Sequence, residues 1–198
     1  SKLSKERLLD ELKKIFKLKT LEKLSQDQKS KDLIKLIFPE LKNISVFSKL
    51  DTNKKKELKN NDFIFFLSLM IIDGTDNSDY FLYKFNISNQ NKKRIKIIDN
   101  FFKNKLGSNT FSEKKMNKIF YYEGKQAVID ILNFKMIKSK KFDQNLFELL
   151  TLYRNKLKPK MPIGADILMT KFQIPEGKQL GLKLKMIEEE WVNNDFQI

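Results

Sequence analysis

The sequence predicts an all-α protein, folded as an irregular array of many helices, and two observations support this. Apolar residues recur every three or four positions in one segment after another, which is the spacing of a buried helix face. The chain has only 4 Pro and 6 Gly, too few for a sandwich of short strands joined by tight turns. Its 198 residues, 40% of them hydrophobic, are enough for one domain of ordinary size or two small helical ones.

Helical segments fill most of the first half of the chain. Ser4 is a good N-cap for a helix to about Lys17, and Pro39 ends a second helix that starts near Ser30. Residues 62–72 are apolar nearly all round and predict a buried central helix, a buried strand being the alternative for so short a run. The other segments are a short helical turn at 42–50, a polar Lys-rich connection at 51–61 that is also a candidate break, a turn at 73–76 and a helix at 77–85.

Ser and Gly residues mark the helix ends in the second half. Ser88 caps a long basic helix that we expect to run to about Lys105 and to end at Gly107. Ser112 caps the next helix, and Gly124 interrupts it. The remaining segments are helices at 125–138, 143–157, 166–172 and 178–194, and a linker with a break at 158–165.

The composition excludes several kinds of site. Without Cys there are no disulfides, zinc ribbons or thiol nucleophiles, and without His there is no Ser-His-Asp triad. No apolar run approaches the ~20 residues that cross a bilayer, and residues 1–5 do not resemble a signal peptide. We therefore expect a cytoplasmic protein with no membrane partner. Asp73, Asp76 and Asp79 lack the spacing of a calcium loop and predict a solvated turn.

The positive charge is concentrated in one part of the chain. The net charge is +15, and residues 86–160 carry 18 basic and 6 acidic side chains, whereas residues 61–85 carry 1 and 4. This favours a polyanionic partner, although heavy Lys and Asn usage is also typical of AT-rich genomes. Only three of the 40 basic residues are Arg. Lys-rich surfaces act as point charges on phosphates and read bases poorly.

Two stretches resemble class II tRNA nucleotidyltransferases, the family of CCA-adding enzymes and bacterial poly(A) polymerases. Residues 4–15, Ser-Lys-Glu-Arg-Leu-Leu-Asp-Glu-Leu-Lys-Lys-Ile, are similar to the family's last neck motif. Residues 161–169, 174–181 and 187–191 are similar to its terminal pattern of Gly-x-Asp-Leu, Pro-Gly-Pro-x-Leu-Gly and Glu-x-Trp. Glu176 and the sequence Gly-Ala-Asp at 164–166 depart from that pattern. Shorter matches at 38–41, 87–89 and 122–128 fall in the family's order.

The resemblance implies an RNA-gripping region without its catalytic head. Residues 1–50 would be the end of the neck and the start of the body, 51–158 the helical body and 159–198 the tail. The Asp-x-Asp motif that holds Mg²⁺ and the motif that reads CTP or ATP are not in this sequence. No cofactor is therefore expected in this chain, which we expect to be inactive alone. The implied partners are tRNA and the head, which would add CCA or poly(A) without a template.

The resemblance and the charge together name candidate site residues. The neck motif supplies Ser4, Glu6, Arg7 and Glu11. The candidate RNA-binding residues are Lys92, Lys93, Arg94, Lys96, Lys138, Lys140, Lys141, Lys156, Lys158, Lys160, Gly164, Asp166, Gly177 and Lys178. In the tail, backbone N–H groups at two helix starts could receive phosphate.

Each assignment has a plainer alternative. The lysines could form ordinary solvated helix faces, and Arg7 and Glu11 could be a surface i,i+4 pair. The tail glycines could serve only turns, with Asp166 as an N-cap, and Trp191 is expected to anchor the core rather than stack on a base. The alternative function is a helical protein-interaction module, which predicts scattered lysines and an exposed apolar patch.

Overall fold

The computed structural model describes residues 4–104, 107 and 109–197. Within these residues there are twelve α-helices, one 3-10 helix and no strand, which confirms the all-α prediction. The chain divides into two compact units. Unit 1 contains residues 1–106 and 130–148, and unit 2 contains residues 107–129 and 149–198. These boundaries do not follow the three segments that the resemblance implies.

Thirteen helices follow one another along the described part of the chain. The first seven are α1 (Lys5–Ile15), α2 (Leu18–Gln26), α3 (Gln28–Ile37), the 3-10 helix (Ile44–Lys49), α4 (Thr52–Leu58), α5 (Phe63–Ile71) and α6 (Asn77–Lys84). The others are α7 (Asn89–Lys103), α8 (Glu113–Glu123), α9 (Lys125–Lys138), α10 (Gln144–Asn155), α11 (Ala165–Phe172) and α12 (Lys178–Asn193).

Helix α5 lies at the centre of the apolar core of unit 1. Eight of its nine residues are buried, as a helix that is apolar all round requires. Its one polar side chain, Ser68, donates a hydrogen bond of 2.8 Å to the Ile64 carbonyl, so no polar group is left unpaired there. Side chains from α1, α2, α3, α6, α7 and α9 join the same core. The prediction of a buried central helix is confirmed.

Side-chain caps fix where several helices begin. Ser4, Ser88 and Ser112 each accept a hydrogen bond from the backbone N–H three residues on, as the sequence predicted. Asp51 and Asp62 cap α4 and α5 in the same way. Hydrogen bonds between residues three apart therefore mark where these helices begin.

Two helices were missed by the sequence analysis. Residues 51–61 were predicted as a connection, but Asp51 caps α4, which buries Lys54 and Leu58. A run rich in Lys has the polarity expected of a loop, but Lys is also a good helix former, so such a run can be a helix. Helix α2 was also missed because its N-cap, Lys17, makes no side-chain bond that would mark its start.

Three predicted helix ends or faces differ in the structure. Helix α7 ends at Lys103 with Asn104 as its C-cap, so Gly107 does not end it, and the predicted end at Lys105 lies outside the described residues. Helix α11 begins after Gly164, so Asp166 lies in its first turn and is not the N-cap. Among the apolar residues of α3, only Ile34 is buried.

Unit 2 buries a smaller set of side chains around α8 and α12. Its buried residues include Met116, Phe120, Leu150, Tyr153, Leu168, Leu180, Trp191 and Val192. Trp191 is 5% exposed and contacts Tyr121 edge-on, with 5.6 Å between ring centroids. The prediction that Trp191 anchors the core is confirmed.

Candidate nucleic-acid interface

Four lysines line one cleft of unit 1. They are Lys49, the last residue of the 3-10 helix, Lys54 on α4, Lys138, the last residue of α9, and Lys140, two residues further on. The cleft has a volume of about 460 Å³, and Asn43, Ser45, Val46, Ile137 and Ser139 complete its lining. Among the described residues that line it there is no carboxylate. Below, "the lysine cleft" means these nine residues.

Lys54 is the buried cation of the lysine cleft. Its side chain is 3% exposed, and its ammonium donates a hydrogen bond of 2.5 Å to the Ser139 carbonyl. The nearest acidic oxygen given for it belongs to Asp51, at 4.0 Å. An ammonium group has three donors. This arrangement joins α4 to the end of α9 and keeps positive charge at the base of the cleft.

Lys138 is held beside Lys54 by contacts that do not neutralise it. Its ammonium donates to the Ile72 carbonyl at 2.7 Å and lies 4.5 Å from the centre of the Phe134 ring. Burial lowers the pKa of Lys138, against the opposing influence of Asp73 and Asp99. A negative charge close to Lys138 favours its charged form.

Among the basic residues of α7, Arg94 is bound by carboxylates of the protein itself. Arg94 donates hydrogen bonds of 2.5 and 2.9 Å to Asp130 and one of 2.5 Å to Asp62. Burial lowers the pKa of Arg94, but these bonds outweigh it and the pKa is raised. Two carboxylates therefore hold Arg94 within unit 1.

The lysines beside Arg94 occupy different environments. Lys96 is exposed and lies 3.5 Å from Asp79, whereas Lys92 is half-buried and Lys93 is exposed. Residue Lys141 is exposed and follows directly on the lysine cleft. Lys140 and Lys138, by contrast, line it. The predicted set therefore separates into residues in the cleft and residues along α7.

The remaining predicted lysines belong to unit 2. Lys156 donates hydrogen bonds to the Asn117 side chain at 2.7 Å and to Glu113 at 3.2 Å. Its ammonium group is therefore bound by side chains of unit 2. Lys158 lies 4.9 Å from the centre of the Tyr121 ring. Lys160 is exposed.

The tail residues adopt distinct backbone conformations. Gly177 has φ +146°, a conformation that L side chains rarely adopt, and it directly precedes Lys178, the exposed first residue of α12. Gly164 has φ −98°, which any residue tolerates, but the Asp166 carboxylate folds back over it. Of these two glycines, only Gly177 has backbone dihedral angles that require glycine.

The neck-motif residues lie on α1. Ser4 accepts a hydrogen bond of 3.3 Å from the Arg7 backbone N–H, and Glu6 and Arg7 are exposed. The Glu11 carboxylate accepts a hydrogen bond of 2.6 Å from Lys14 rather than pairing with Arg7 as the i,i+4 spacing suggests. That hydrogen bond raises the pKa of Lys14. The motif is thus a capped helix with surface ion pairs.

The carboxylates of the segment 73–79 and of Asp99 form ion pairs with lysines. Asp76, Asp79 and Asp99 all lie within 3.4 Å of the Lys103 ammonium, and Asp73 lies 3.0 Å from Lys42. In the part of the chain that the structure describes, no group of three or more acidic side chains is arranged to hold a metal ion.

Two further findings concern membrane spans and similarity to known proteins. None of the helices at 4–104 and 109–197 is long and apolar enough to cross a bilayer. No family model matches this chain, and comparison with curated proteins and with solved structures gave no match.

Sequence reasoning missed half of the lysine cleft. Lys49 and Lys54 lie more than 80 residues from Lys138 and Lys140, and residues 51–61 were interpreted as a connection. The available signal was Asp51, a capping residue before a run of good helix formers. A helix there would have placed Lys54 and Leu58 on one face.

Proposed function

We propose that this chain binds tRNA through its phosphates, as the neck, body and tail region of a tRNA nucleotidyltransferase. The catalytic head, with its Mg²⁺ and CTP or ATP, would lie outside this chain and would add CCA or poly(A) to the 3′ end. The chain itself would hold the acceptor arm and elbow so that this end reaches the head.

The lysine cleft is the observation that carries the proposal. Four ammonium groups share a cleft whose described lining has no carboxylate, and the surrounding hydroxyl and amide groups can also donate hydrogen bonds. By sequence, unit 1 carries 28 basic and 17 acidic side chains, and unit 2 carries 12 and 8. The cleft therefore lies in the more cationic unit, as steering of a polyanion requires.

Lysine chemistry favours backbone recognition over base recognition. Ammonium groups bind phosphate as point charges, whereas sequence reading relies on the planar donor pattern of Arg. Arg94, one of only three Arg residues, is held by Asp130 and Asp62. Positioning by phosphate contacts carries no sequence information, which suits a protein that serves every tRNA.

The test compares two triple variants of equal charge. The cleft variant combines Lys49→Gln and Lys140→Gln, two exposed residues of the lysine cleft, with Lys141→Gln, the exposed residue that follows it in sequence. The control variant combines Lys19→Gln, Lys29→Gln and Lys35→Gln, which change exposed residues elsewhere in unit 1. Filter binding of tRNA across a salt series is measured for both. We expect the cleft variant to weaken binding at least about tenfold and to lower the salt slope by about 2 to 3. The control variant should stay near the parent.

Three results would contradict this proposal. Equal losses in the two variants would mean that only net charge matters, and absence of tRNA binding at low salt would remove the RNA role. Incorporation of labelled CTP by this chain would contradict the assignment of catalysis to a separate head.

A protein-interaction module is the second candidate, favoured by exposed apolar residues on unit 1. On α3, Leu36 is 81% exposed, and on α6, Tyr83 is 89% exposed. Lys84, the last residue of α6, donates a hydrogen bond of 2.7 Å to Glu40, which follows α3 in the sequence. Leu36→Ser with Tyr83→Ser should leave tRNA affinity unchanged if the lysine cleft is the RNA site. A loss equal to that of the cleft variant would favour the apolar face instead.

A further inference from the structure

A small pocket of unit 2 has apolar walls and a polar edge. Met161, Pro162, Ile163 and Ile187 supply the apolar surface and the buried Trp191 forms one wall, in a volume of about 250 Å³. The polar side chains in its lining are Glu190, Asn194 and Gln197. This volume is below the ~300–1,000 Å³ of pockets for drug-sized ligands. It suits a single flat heterocycle better than a whole nucleotide.

The polar edge is held in place by an unusual turn. Asp195 and Phe196 have φ +54° and +68°, and neither is Gly. Two such residues in succession cost about 1–3 kcal/mol each, and such strain clusters at binding sites. The turn is closed by hydrogen bonds from the Phe196 N–H to the Trp191 carbonyl (2.8 Å) and from the Gln197 N–H to the Asn194 carbonyl (3.1 Å). Asn194 and Gln197 are thereby kept at the pocket.

The polar groups match the edge of a nucleobase. Glu190 only accepts hydrogen bonds, whereas the amides of Asn194 and Gln197 both donate and accept. All three side chains are exposed to solvent. An aliphatic ligand would remove these three side chains from water without replacing their hydrogen bonds, which costs binding free energy. A flat base fills the apolar slot and pairs with its edge.

We infer that this pocket receives one unpaired base of RNA, with Glu190 selecting guanine. The guanine Watson–Crick edge places two donors, N1–H and N2–H, side by side, and a carboxylate accepts both. Recognition of unstacked bases by their edges is how proteins read single-stranded RNA loops. The inference rests on the proposed function only in taking RNA as the ligand, because the lysine cleft lies in the other unit.

Phosphate contacts for this base are supplied within unit 2. Lys160 precedes Met161 of the pocket wall, and Lys158 lies over Tyr121, which packs against Trp191. A base in the pocket would therefore have its backbone near these two ammonium groups. They offset the repulsion from Glu188 and Glu189, which precede Glu190 on α12.

The single Trp of the chain makes the test specific. The full chain, labelled with ¹⁵N, is titrated with neutral nucleosides while its one indole N–H resonance is followed. We expect guanosine to shift this resonance saturably and adenosine, cytidine and uridine to bind at least about tenfold more weakly. Glu190→Gln should reduce guanosine affinity by about tenfold, and the matched variant Glu189→Gln, whose carboxylate lies outside the pocket, should not.

Other outcomes of the titration would overturn the inference. No indole shift with any nucleoside would mean that the pocket takes no base, whatever the tRNA affinity. A shift with N-acetyltyrosinamide but not with guanosine would assign the pocket to a protein side chain. Equal shifts from all four nucleosides would remove the selection by Glu190. Asn194→Ala, a second lining variant, should weaken guanosine binding as well. An unchanged affinity in both lining variants would count against the assigned edge.

Discussion

Arg94 shows at the level of one residue how burial changes the meaning of a charge. In the sequence it belongs to a basic run and predicts a phosphate ligand. In the structure it bridges Asp130, which is fully buried, and Asp62. An Arg held by two carboxylates keeps its charge but has few donors left for RNA. The same residue type in the same run can therefore be a structural tie.

Removing the Arg94 side-chain charge should strongly destabilise unit 1. Arg94→Met removes two charged hydrogen bonds from the buried Asp130 carboxylate. We expect a loss of about 3–5 kcal/mol in the free energy of unfolding, measured in urea. Lys92→Met, which removes a charge from the same helix, should cost less than about 1 kcal/mol. Equal losses in the two variants would show that Arg94 is not a structural tie.

Asp62 should make the stability of the chain sensitive to acid. Burial raises the pKa of Asp62, but hydrogen bonds from Arg94 and the Phe65 N–H outweigh it, so the pKa is lowered. A carboxylate with a lowered folded pKa stabilises the fold above its unfolded value of ~3.9, and this is lost as pH falls through the folded pKa.

The variant Asp62→Asn tests this acid sensitivity. We expect it to be less stable than the parent at neutral pH, with the difference shrinking below about pH 4 in urea titrations at several pH values. Asp62→Ala also removes the cap of α5 and should cost stability at every pH. A difference between Asp62→Asn and parent that stays constant down to pH 2 would contradict the lowered pKa.

At the level of the helices, local signals account for most of the boundaries. The Ser and Asp caps and Pro39 lie where the hydrogen bonds and the helix ends are found. They act within three residues, so they can be read from sequence. The missed helices α2 and α4 fail this rule in different ways. The N-cap of α2 makes no side-chain bond, and the cap of α4 was hidden by a run of lysines.

Two glycines at one end of α12 should respond oppositely to Ala. Gly177 has φ +146°, so Gly177→Ala is strained and should destabilise unit 2 by about 1–3 kcal/mol. Gly181 lies within α12 with open space around it, so Gly181→Ala should stabilise by up to about 1 kcal/mol. Thermal unfolding of both variants measures this. A neutral Gly177→Ala would mean that α12 does not need this backbone conformation.

At the level of the whole molecule, burial should determine where the backbone is most protected. Helix α5 has eight buried residues of nine, whereas α11 has one of eight. We expect the amides of α5 to exchange with solvent only by global or near-global opening, and those of α11 to exchange by local fraying. Hydrogen exchange followed by mass spectrometry distinguishes these. Equally fast exchange in both helices would contradict the assignment of α5 as the centre of the core.

Which charged residues share a surface is determined only by the fold of the whole molecule. A net charge of +15 is a property of the sequence, but it does not say which cations share a surface. The fold puts Lys54 and Lys138 in the lysine cleft, holds Arg94 in an ion-pair network, and uses Lys156 within unit 2. The candidate RNA surface is therefore a subset of the predicted lysines together with residues that were not predicted.

The sequence by itself determined the helical class, the burial of the apolar run at 62–72 and the capped starts of α1, α7 and α8. Periodicity and caps act over a few residues, so they need no knowledge of distant parts of the chain. Only the tertiary structure decided that Lys49 and Lys54 meet Lys138 and Lys140, that Arg94 serves Asp130, and that Asn194 and Gln197 edge a pocket beside Trp191. These contacts join residues far apart in sequence or depend on a strained turn, and both are set by packing and burial rather than by local propensity.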